Sequence, residues 1–281
     1  MLYKTLDNNN PYLQTAGLQG VVHYRGSLPT SRIPILGVVG TRKITPFGHQ
    51  ALRDLLEPVL GPHMMCASGL ALGSDARAHT LSIRSNCPTI AVLPCGINNV
   101  YPASNTKLAF SILESGGCLL SQFKPNDGPA KYRFIERNRL IATISDVLLV
   151  SEAPNKSGAL YTAKFALEMG KPVLVFLADY NRYYSQGSNA LLKIGAQPVI
   201  NPKDINDALG LKTEDNRMHK NLTSIQKSIL EISAENQCAL NQLEANLNIE
   251  FNEILKNVSE LELMGLIRVS NGIIYRSPDS S

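Results

Sequence analysis

The sequence predicts an α/β fold with a doubly wound, mostly parallel sheet, followed by a small C-terminal domain of the winged-helix type. Three observations carry this prediction. Between residues 35 and 200, short apolar runs alternate with longer helix-compatible segments, as in a parallel sheet with helices on both faces. Residues 201–221 are polar and show no sustained apolar period. From residue 222 onward, three helical segments precede a hairpin pattern.

Short apolar runs predict the strands of the sheet. They are rich in Val, Ile and Leu and are bounded by Gly, Pro or polar residues, which is typical of buried strands. Helix-compatible segments between them end at breakers such as Gly170 and Pro172. The predicted strands cover residues 35–39, 64–67, 89–93, 118–121, 147–150, 173–177 and 198–200, and the predicted helices cover residues 46–60, 74–83, 105–114, 133–143 and 159–169.

These patterns divide the chain into four parts. Residues 1–34 hold too few apolar positions for a domain and form a lead-in segment, and residues 35–200 form the sheet domain. Residues 201–221, with Pro202 and Gly210, form a linker that holds at most one helical turn. Residues 222–281 form the winged-helix-like domain, with helices at 223–233, 239–243 and 249–264 and a hairpin that turns at Asn271-Gly272.

Composition excludes several classes of protein. With 44% hydrophobic and 18% charged residues, the chain has the composition of an ordinary globular protein. The N-terminus lacks the basic and apolar regions of a signal peptide, and no apolar run approaches the ~18 residues that cross a bilayer, so a cytoplasmic protein without a membrane partner is expected. The five cysteines form no CxxC pair, so neither a metal site nor a disulfide is expected.

Charge is distributed unevenly along the chain. The net charge is +4, but from Leu222 onward four Lys/Arg face eight Asp/Glu, a net of −4, which leaves +8 on residues 1–221. A polyanionic partner is therefore expected on the large domain. The acidic C-terminal domain is expected to bind protein or to pack on the large domain rather than to hold duplex DNA.

The loops after the first two strands place candidate ligand-binding groups at one edge of the sheet. Arg42 follows the first strand at the carboxyl edge, where open α/β sheets bind ligands, although a surface ion pair explains Arg42 equally well. The second loop opens a helix whose free amides favour an anion. Its glycines lack the GxGxxG spacing, so no cofactor is expected. The candidate positions in this loop are Ser68, Gly69, Leu70 and Gly73.

Asp75 and His79 are four residues apart in the predicted helix and are expected on one of its faces. No nucleophile accompanies them. We interpret them as an orienting pair that ties the helix to the preceding loop, with acid/base catalysis as the alternative.

A basic and aromatic segment, KYRFIERNR, covers residues 131–139 after the fourth strand. Cations neutralise phosphates, and aromatic rings stack with any base. Because basic residues at a helix N-terminus oppose the macrodipole, the cluster indicates an external anion, while a solvated basic helix start is the alternative. Asn138 can hydrogen-bond a phosphate, a base edge or a neighbouring loop. The candidate positions are Lys131, Phe134, Arg137, Asn138 and Arg139.

A third loop of small residues follows the fifth strand and opens a helix. Ser157, Gly158 and Thr162 offer backbone and hydroxyl donors to an anion, and helix capping accounts for part of this pattern. Because parallel strands end at the same edge of a sheet, the three loops are expected to converge on one cleft. The residues therefore predict a cleft for single-stranded nucleic acid.

Five motifs, in their order and spacing, resemble the DNA-processing protein family DprA/Smf. They are VVGTRKITPFG, SGLALGSDARAH, AVLPCGINNVYPASN, RFIERNRLIATIS and EAPNKSGALYTAKFALEMGKPV, and the match covers residues 24–199. The resemblance implies an extended Rossmann-like domain that binds and protects single-stranded DNA, forms a homodimer and helps to load a RecA-type recombinase during natural transformation. It places contacts to phosphates and bases at Arg42, Lys131, Phe134 and Arg137, with the turns at 68–73 and 157–158 lining the pocket.

The sequence also departs from the family pattern and leaves an alternative function open. The family's GID turn reads GSD at residues 73–75, and its FPxRNR motif reads FIERNR at residues 134–139. Related Rossmann-like enzymes that cleave nucleoside monophosphates carry a PGGxGTxxE loop, whereas residues 156–163 have alanine or lysine where that glutamate is sought. A nucleotide-binding enzyme or sensor is the alternative, and no catalytic residue is predicted.

Overall fold

A computed structural model describes residues 3–6, 21–28, 31–211, 222–235, 238–247, 249–263, 266–270 and 272–276. The chain forms two compact units, Met1–Lys212 and Thr213–Ser281. Each unit has its own sheet and its own hydrophobic core. Within these described ranges, no helix has both the length and the apolar character needed to cross a bilayer.

In its described residues, the first unit is built on a nine-stranded sheet in the order β1-β2-β6-β5-β4-β3-β7-β8-β9. The strands from β6 to β9 in this order are parallel, whereas β1 and β2 are antiparallel additions at one edge. The chain order reverses between β3 and β7, which is the topological switch point of the sheet. The strands are β1 (Lys4–Leu6), β2 (Val22–Gly26), β3 (Ile35–Val39), β4 (Met65–Ser68), β5 (Thr89–Val92), β6 (Cys118–Ser121), β7 (Val147–Val150), β8 (Val173–Phe176) and β9 (Gln197–Val199).

Helices cover both faces of this sheet, so strand residues are buried on alternate sides. In β3, Ile35 and Val39 join the core under α4, α5 and α6, whereas Leu36 and Val38 join the core under α1, α2 and α7. The predicted doubly wound α/β fold is thereby confirmed. The helices are α1 (Pro46–Ala51), α2 (Ser74–Arg84), α3 (Thr106–Glu114), α4 (Lys131–Ile144), α5 (Ala159–Glu168), α6 (Gln186–Leu191) and α7 (Pro202–Ala208).

The helix predicted at residues 46–60 changes its hydrogen-bonding pattern along its length. Only Pro46–Ala51 is α-helical, and a π-helical turn (Leu52–Leu56) and a 3₁₀ turn (Glu57–Val59) follow it. Pro58 lies in the last turn and has no N–H to donate, so a regular α-helical ladder cannot continue through it.

Parts of the predicted lead-in and of the predicted linker belong to the first unit. In the predicted lead-in, β2 pairs with β6 through His23 and Ser121 and extends the sheet. In the predicted linker, α7 is capped reciprocally by Asn201 and Asp204 and buries Ile205 fully against the core below α1. A seven-residue helix is too short to show a sustained apolar period, which is why the sequence pattern indicates one helical turn at most. The remainder of that linker, residues 212–221, lies outside the described residues.

The second unit has the element order of a winged helix. The three strands that its described residues contain form an antiparallel sheet in the order β10-β12-β11. Gly272 has a φ of +75° in the hairpin turn, a conformation that glycine adopts without strain, and Asn271 lies outside the described residues. The elements are α8 (Ser224–Glu235), β10 (Cys238–Ala239), α9 (Leu240–Leu247), α10 (Phe251–Leu263), β11 (Ile267–Ser270) and β12 (Ile273–Arg276).

Replacement of Ile205 by alanine tests whether α7 belongs to the core. Because Ile205 is fully buried, Ile205→Ala is expected to lower the free energy of unfolding by about 2 to 4 kcal/mol in urea denaturation. The same change at Ile200, which is 69% exposed, is the matched control and should cost less than ~0.5 kcal/mol. Equal effects of the two substitutions would contradict the packing of α7.

Candidate nucleic-acid interface

A cleft of about 360 Å³ opens at the switch point of the sheet. Three loops that follow β3, β4 and β7 form its walls, and one side of α4 closes it. The three loops therefore converge on one cleft, as the sequence predicts. The lining residues are Val39, Gly40, Thr41 and Arg42 after β3, Ala71 and Asp75 after β4, Phe134, Arg137, Asn138 and Ile141 on α4, and Pro154, Ser157, Gly158, Ala159 and Thr162 after β7.

The loop that carries Arg42 is held at both ends by Glu152, which lies two residues after the end of β7. The backbone carbonyl of Glu152 accepts a hydrogen bond from the amide of Thr41 at 2.7 Å. Its buried carboxylate accepts from the Thr45 amide at 2.9 Å and from the Thr45 hydroxyl at 2.7 Å. A Cβ at position 48 would collide with this carboxylate, so Gly48 provides its space. Two walls of the cleft are thus fastened together.

Arg42 and Phe134 form the exposed rim of the cleft. The guanidinium carbon of Arg42 lies 5.5 Å from the centre of the Phe134 ring, within the range of a cation–π contact. Arg42 is exposed and Phe134 is half-buried. A cation and a ring in contact at a solvent-facing edge can bind a phosphate and a base, respectively.

Arg137 is buried beneath this rim, with only 5% of the residue exposed. Its Nη1 donates to the carbonyl oxygen of Gly69 and to that of Val92, the latter at 3.0 Å, and its Nε donates to Asn138 at 3.0 Å. Burial lowers the pKa of this guanidinium, and the nearby carboxylate of Asp75 opposes that shift. Of its nitrogens, Nη2 has no hydrogen-bond partner in the described ranges, so one donor group remains for a ligand.

The turn after β4 is shaped by Asp75. One oxygen of its buried carboxylate accepts hydrogen bonds from the amides of Gly69 at 3.2 Å and Ala71 at 3.3 Å. Burial raises the pKa of Asp75, while Arg137 and these amides act in the opposite direction. Asp75 therefore ties its helix to the loop, as the sequence suggests.

His79 does not share this task with Asp75. Its Nδ1 is hydrogen-bonded to the Thr89 hydroxyl at 2.7 Å, and that hydroxyl donates to the carbonyl of Cys66 at 2.9 Å. The predicted orienting pair is therefore wrong for His79, because the second turn of α2 points the imidazole between β4 and β5. Burial, with a smaller contribution from Arg137, lowers the pKa of His79 to about 3. No group of three or more metal-ligating side chains occurs in the part of the chain that the structure describes.

Three other candidate residues in this loop do not line the cleft and shape its wall from behind. Ser68 is buried and donates to the carbonyl of Val38 at 2.6 Å. Leu70 is buried with a φ of +57°. Gly73 has a φ of +75°, and a Cβ there would collide with the backbone of Thr41 and Arg42. Glycine therefore allows this turn to lie against the Arg42 loop.

The start of α5 presents a polar group with no protein partner. Thr162 is 1% exposed and lines the cleft, and its buried hydroxyl makes no hydrogen bond within the described ranges. Ser157 accepts a hydrogen bond from the amide of Ala159 at 3.3 Å, which is a capping contact. The carbonyl of Gly158 accepts from Asn138 at 3.2 Å and joins α4 to α5. An unpaired buried hydroxyl is costly, so the Thr162 hydroxyl is a candidate hydrogen-bonding group for a ligand.

The basic side chains of α4 lie in different surroundings and do not form one cluster around the cleft. Lys131 is exposed at the first position of the helix, outside the cleft, and forms no ion pair within the described ranges. Arg133 forms an ion pair with Asp127 at 2.8 Å, so its anion comes from the chain itself and not from a ligand. Arg139 lies over the ring of Phe165 at 5.6 Å and does not line the cleft.

A second, smaller cavity of about 80 Å³ adjoins the cleft. The sequence patterns do not predict it. Tyr101 lies in its wall, with its ring edge-on to Phe134 at 5.6 Å between ring centres. The signal is nevertheless present in the sequence, because the motif that contains Tyr101 follows β5, whose carboxyl end lies at the same edge of the sheet as the other loops.

The fold and the cleft together define an open α/β protein with a cleft at the switch point of its sheet, where a cation and an aromatic ring lie at the rim. A family model described as DNA recombination-mediator protein A matches residues 13–210, and the chain belongs to that family. Protein Smf of Borreliella burgdorferi is 35% identical over 194 residues, which cover 69% of this chain and 61% of the relative. The chain therefore spans about three fifths of that protein's length.

Two solved structures of relatives share the fold. DprA from Helicobacter pylori has a TM-score of 0.64 at 29% identity, over 74% of this chain and 95% of the other, and it is described as having a single-stranded DNA binding mode. DprA from Streptococcus pneumoniae has a TM-score of 0.62 at 29% identity, over 66% of this chain and 65% of the other. The family resemblance of the five sequence motifs is thereby confirmed.

The buried His79 is expected to make the fold sensitive to acid. Its folded pKa lies below the ordinary value of 6.5, so its contribution to stability is present above pH 6.5 and is lost as the pH falls below that value. At pH 5.5 the loss should reach about 1.4 kcal/mol. Urea denaturation between pH 7.5 and 5.5 should show a shallower pH slope for His79→Asn, while the same change at the exposed His49 should keep the wild-type slope. Parallel slopes for wild type and His79→Asn would refute this.

Proposed function

We propose that this chain binds single-stranded DNA in the switch-point cleft, protects it, and helps to load it with a RecA-type recombinase, without catalysis of its own. The observation that carries the proposal is that one cleft is lined by the exposed Arg42 in contact with the ring of Phe134 and by the buried Thr162 hydroxyl, which has no hydrogen-bond partner within the described residues. Such a site offers a cation, a stacking surface and a hydrogen-bond donor within one cleft of about 360 Å³. The cation suits the phosphate of a nucleotide, the ring offers a surface on which its base can stack, and the donor can form a hydrogen bond to it.

The positions of the side chains support separate roles for them. Arg42 and Lys131 are exposed cations that suit phosphates along the strand. Arg137 is committed to backbone carbonyls, so we assign it to shaping the cleft, with Nη2 as its remaining donor. Phe134 is the stacking ring. Asn138 holds α5 beside α4, and Ser157 and Gly158 form the wall above Thr162.

The comparisons support the choice of ligand and partner. The Helicobacter relative is described as binding single-stranded DNA, and the family is described as recombination mediators. A mediator of recombination acts on DNA together with a recombinase, so a RecA-type protein is the partner we propose. We also propose that the chain acts as a homodimer and that the acidic C-terminal unit contacts protein.

A nucleotide-cleaving enzyme is the alternative function, because the cation and the aromatic ring of the cleft could also bind a single nucleotide. Among the residues that line the cleft, Asp75 is the carboxylate. One of its oxygens already accepts two backbone hydrogen bonds, which favours a structural role over proton transfer. Release of free base from nucleotides by the purified protein, lost in an Asp75→Asn variant, would instead establish the enzyme.

Fluorescence anisotropy with single-stranded and duplex oligonucleotides at two salt concentrations tests the proposal. Tighter binding of the single strand is expected. Lys131→Ala should flatten the slope of log K against log salt by about 0.7, since one phosphate contact is removed. Phe134→Ala should cost ~1 to 3 kcal/mol of binding free energy with little change in slope. Lys203→Ala, on the exposed side of α7, should match the wild type. Equal affinity for both strand forms would contradict the proposal.

Thr162→Val tests whether the buried hydroxyl serves the ligand. The fold should keep its stability, because the hydroxyl that is removed has no partner in the described ranges. Binding of the single strand should weaken by roughly ten- to a hundredfold, the value of a hydrogen bond to a charged group. Thr162→Ser keeps the hydroxyl and should bind nearly as wild type. The assignment fails if the valine variant binds as tightly as the serine variant.

A further inference from the structure

We propose that the small cavity beside the cleft is a second base subsite, in which Tyr101 supports the base of the next nucleotide along the strand. The inference rests on the proposed binding of single-stranded DNA and adds a site to it. The cavity has a volume of about 80 Å³ and is separate from the cleft at Thr162. It lies between the loops that follow β4 and β5 and the first turn of α4.

The lining of this cavity suits the face of a planar ring. Leu72, Pro94, Tyr101 and Pro102 supply apolar surface, and Leu72 and Tyr101 are 46% and 38% exposed. Exposed aromatic and aliphatic side chains in one concave place are a surface on which a base can stack. The ring of Tyr101 meets that of Phe134 at 77°, so the two rings form a corner.

The two cavities are joined by shared walls. Arg42, Ala71, Phe134 and Arg137 line both of them, so Phe134 stands between a base in the cleft and a base at Tyr101. The phosphate that links the two nucleotides then faces Arg42, the exposed cation at the shared rim. One arginine and two rings thereby serve two consecutive nucleotides.

The walls of the second subsite are held in place by hydrogen bonds. The side chain of Asn105 donates to the carbonyl of Leu70 at 2.8 Å and fixes the turn on one side. Ser121 donates to the carbonyl of Cys95 at 2.6 Å, and Asn99 donates to the carbonyl of Asp127 at 3.1 Å, which fix the loop on the other side. A preformed platform loses little conformational entropy when a base binds. Because its apolar side chains meet the face of the ring and not its edge, it should accept any base.

Binding of thymidine 5′-monophosphate and of the 5′-phosphorylated thymidine dinucleotide tests the subsite by calorimetry. Wild-type protein should bind the dinucleotide more tightly than the mononucleotide. Tyr101→Ala should weaken dinucleotide binding roughly tenfold and leave mononucleotide binding unchanged. Tyr101→Phe keeps the ring and should retain the dinucleotide affinity. Tyr180→Ala removes a tyrosine that is 88% exposed and lines neither cavity, and it should behave as wild type.

The outcomes separate this inference from the proposed function. If Tyr101→Ala weakens both nucleotides equally, Tyr101 only supports Phe134 and the subsite is refuted. If it weakens neither while single strands still bind, the subsite is also refuted and the proposed function stands. If wild-type protein binds no single strand, the proposed function itself fails. Photo-crosslinking with 5-iodouracil in the second nucleotide gives an independent readout, since the crosslinked peptide should contain Tyr101 and a crosslink confined to Phe134 would contradict the assignment.

Discussion

The buried guanidinium of Arg137 is the constraint on which the geometry of the cleft depends. A cation removed from water is tolerated only where hydrogen-bond acceptors replace its hydration, and here the carbonyls of Gly69 and Val92 supply them. The nearby Asp75 carboxylate adds a favourable charge and fixes the same turn through two amides. A Cβ at Gly69 would collide with the guanidinium, so the turn fits only with glycine. The ends of β4 and β5 are in this way attached to the middle of α4.

Several features of the cleft follow from that attachment. Phe134 precedes Arg137 by one helical turn, so the depth at which the guanidinium is held also sets the height of the stacking ring. Asn138 follows Arg137 directly and reaches the carbonyl of Gly158, which places the start of α5 beside the ring. Glu152 then fastens the Arg42 loop to the strand that leads into this region. Most of the site is thus fixed by polar contacts within the protein, and Arg42 is the exposed cation at its rim.

Sequence patterns predict the sheet and the position of the cleft because both depend on local signals. The buried run at residues 147–150 is recognisable from its composition, and the common edge of parallel strands brings its loop to that of Arg42. The roles of individual cations depend on partners that are remote in sequence or in an irregular loop. Arg137 contacts residues 68 and 45 positions away, and the partner of Arg133 is Asp127, in a loop with no periodic pattern. Segments with few apolar residues, such as β2 and α7, gain their stability from the sheet and show little pattern of their own.

The two edges of the sheet differ from its interior in what they offer to another chain. β9 is three residues long and contains Pro198, which has no N–H, and β1 at the opposite edge also has three residues. Within the described residues, a neighbouring strand would find few free backbone groups at either edge of this sheet. The proposed association between copies of this chain is therefore better served by complementary side-chain surfaces, whose contacts single substitutions can tune, than by pairing at these edges in a backbone ladder that would continue from copy to copy.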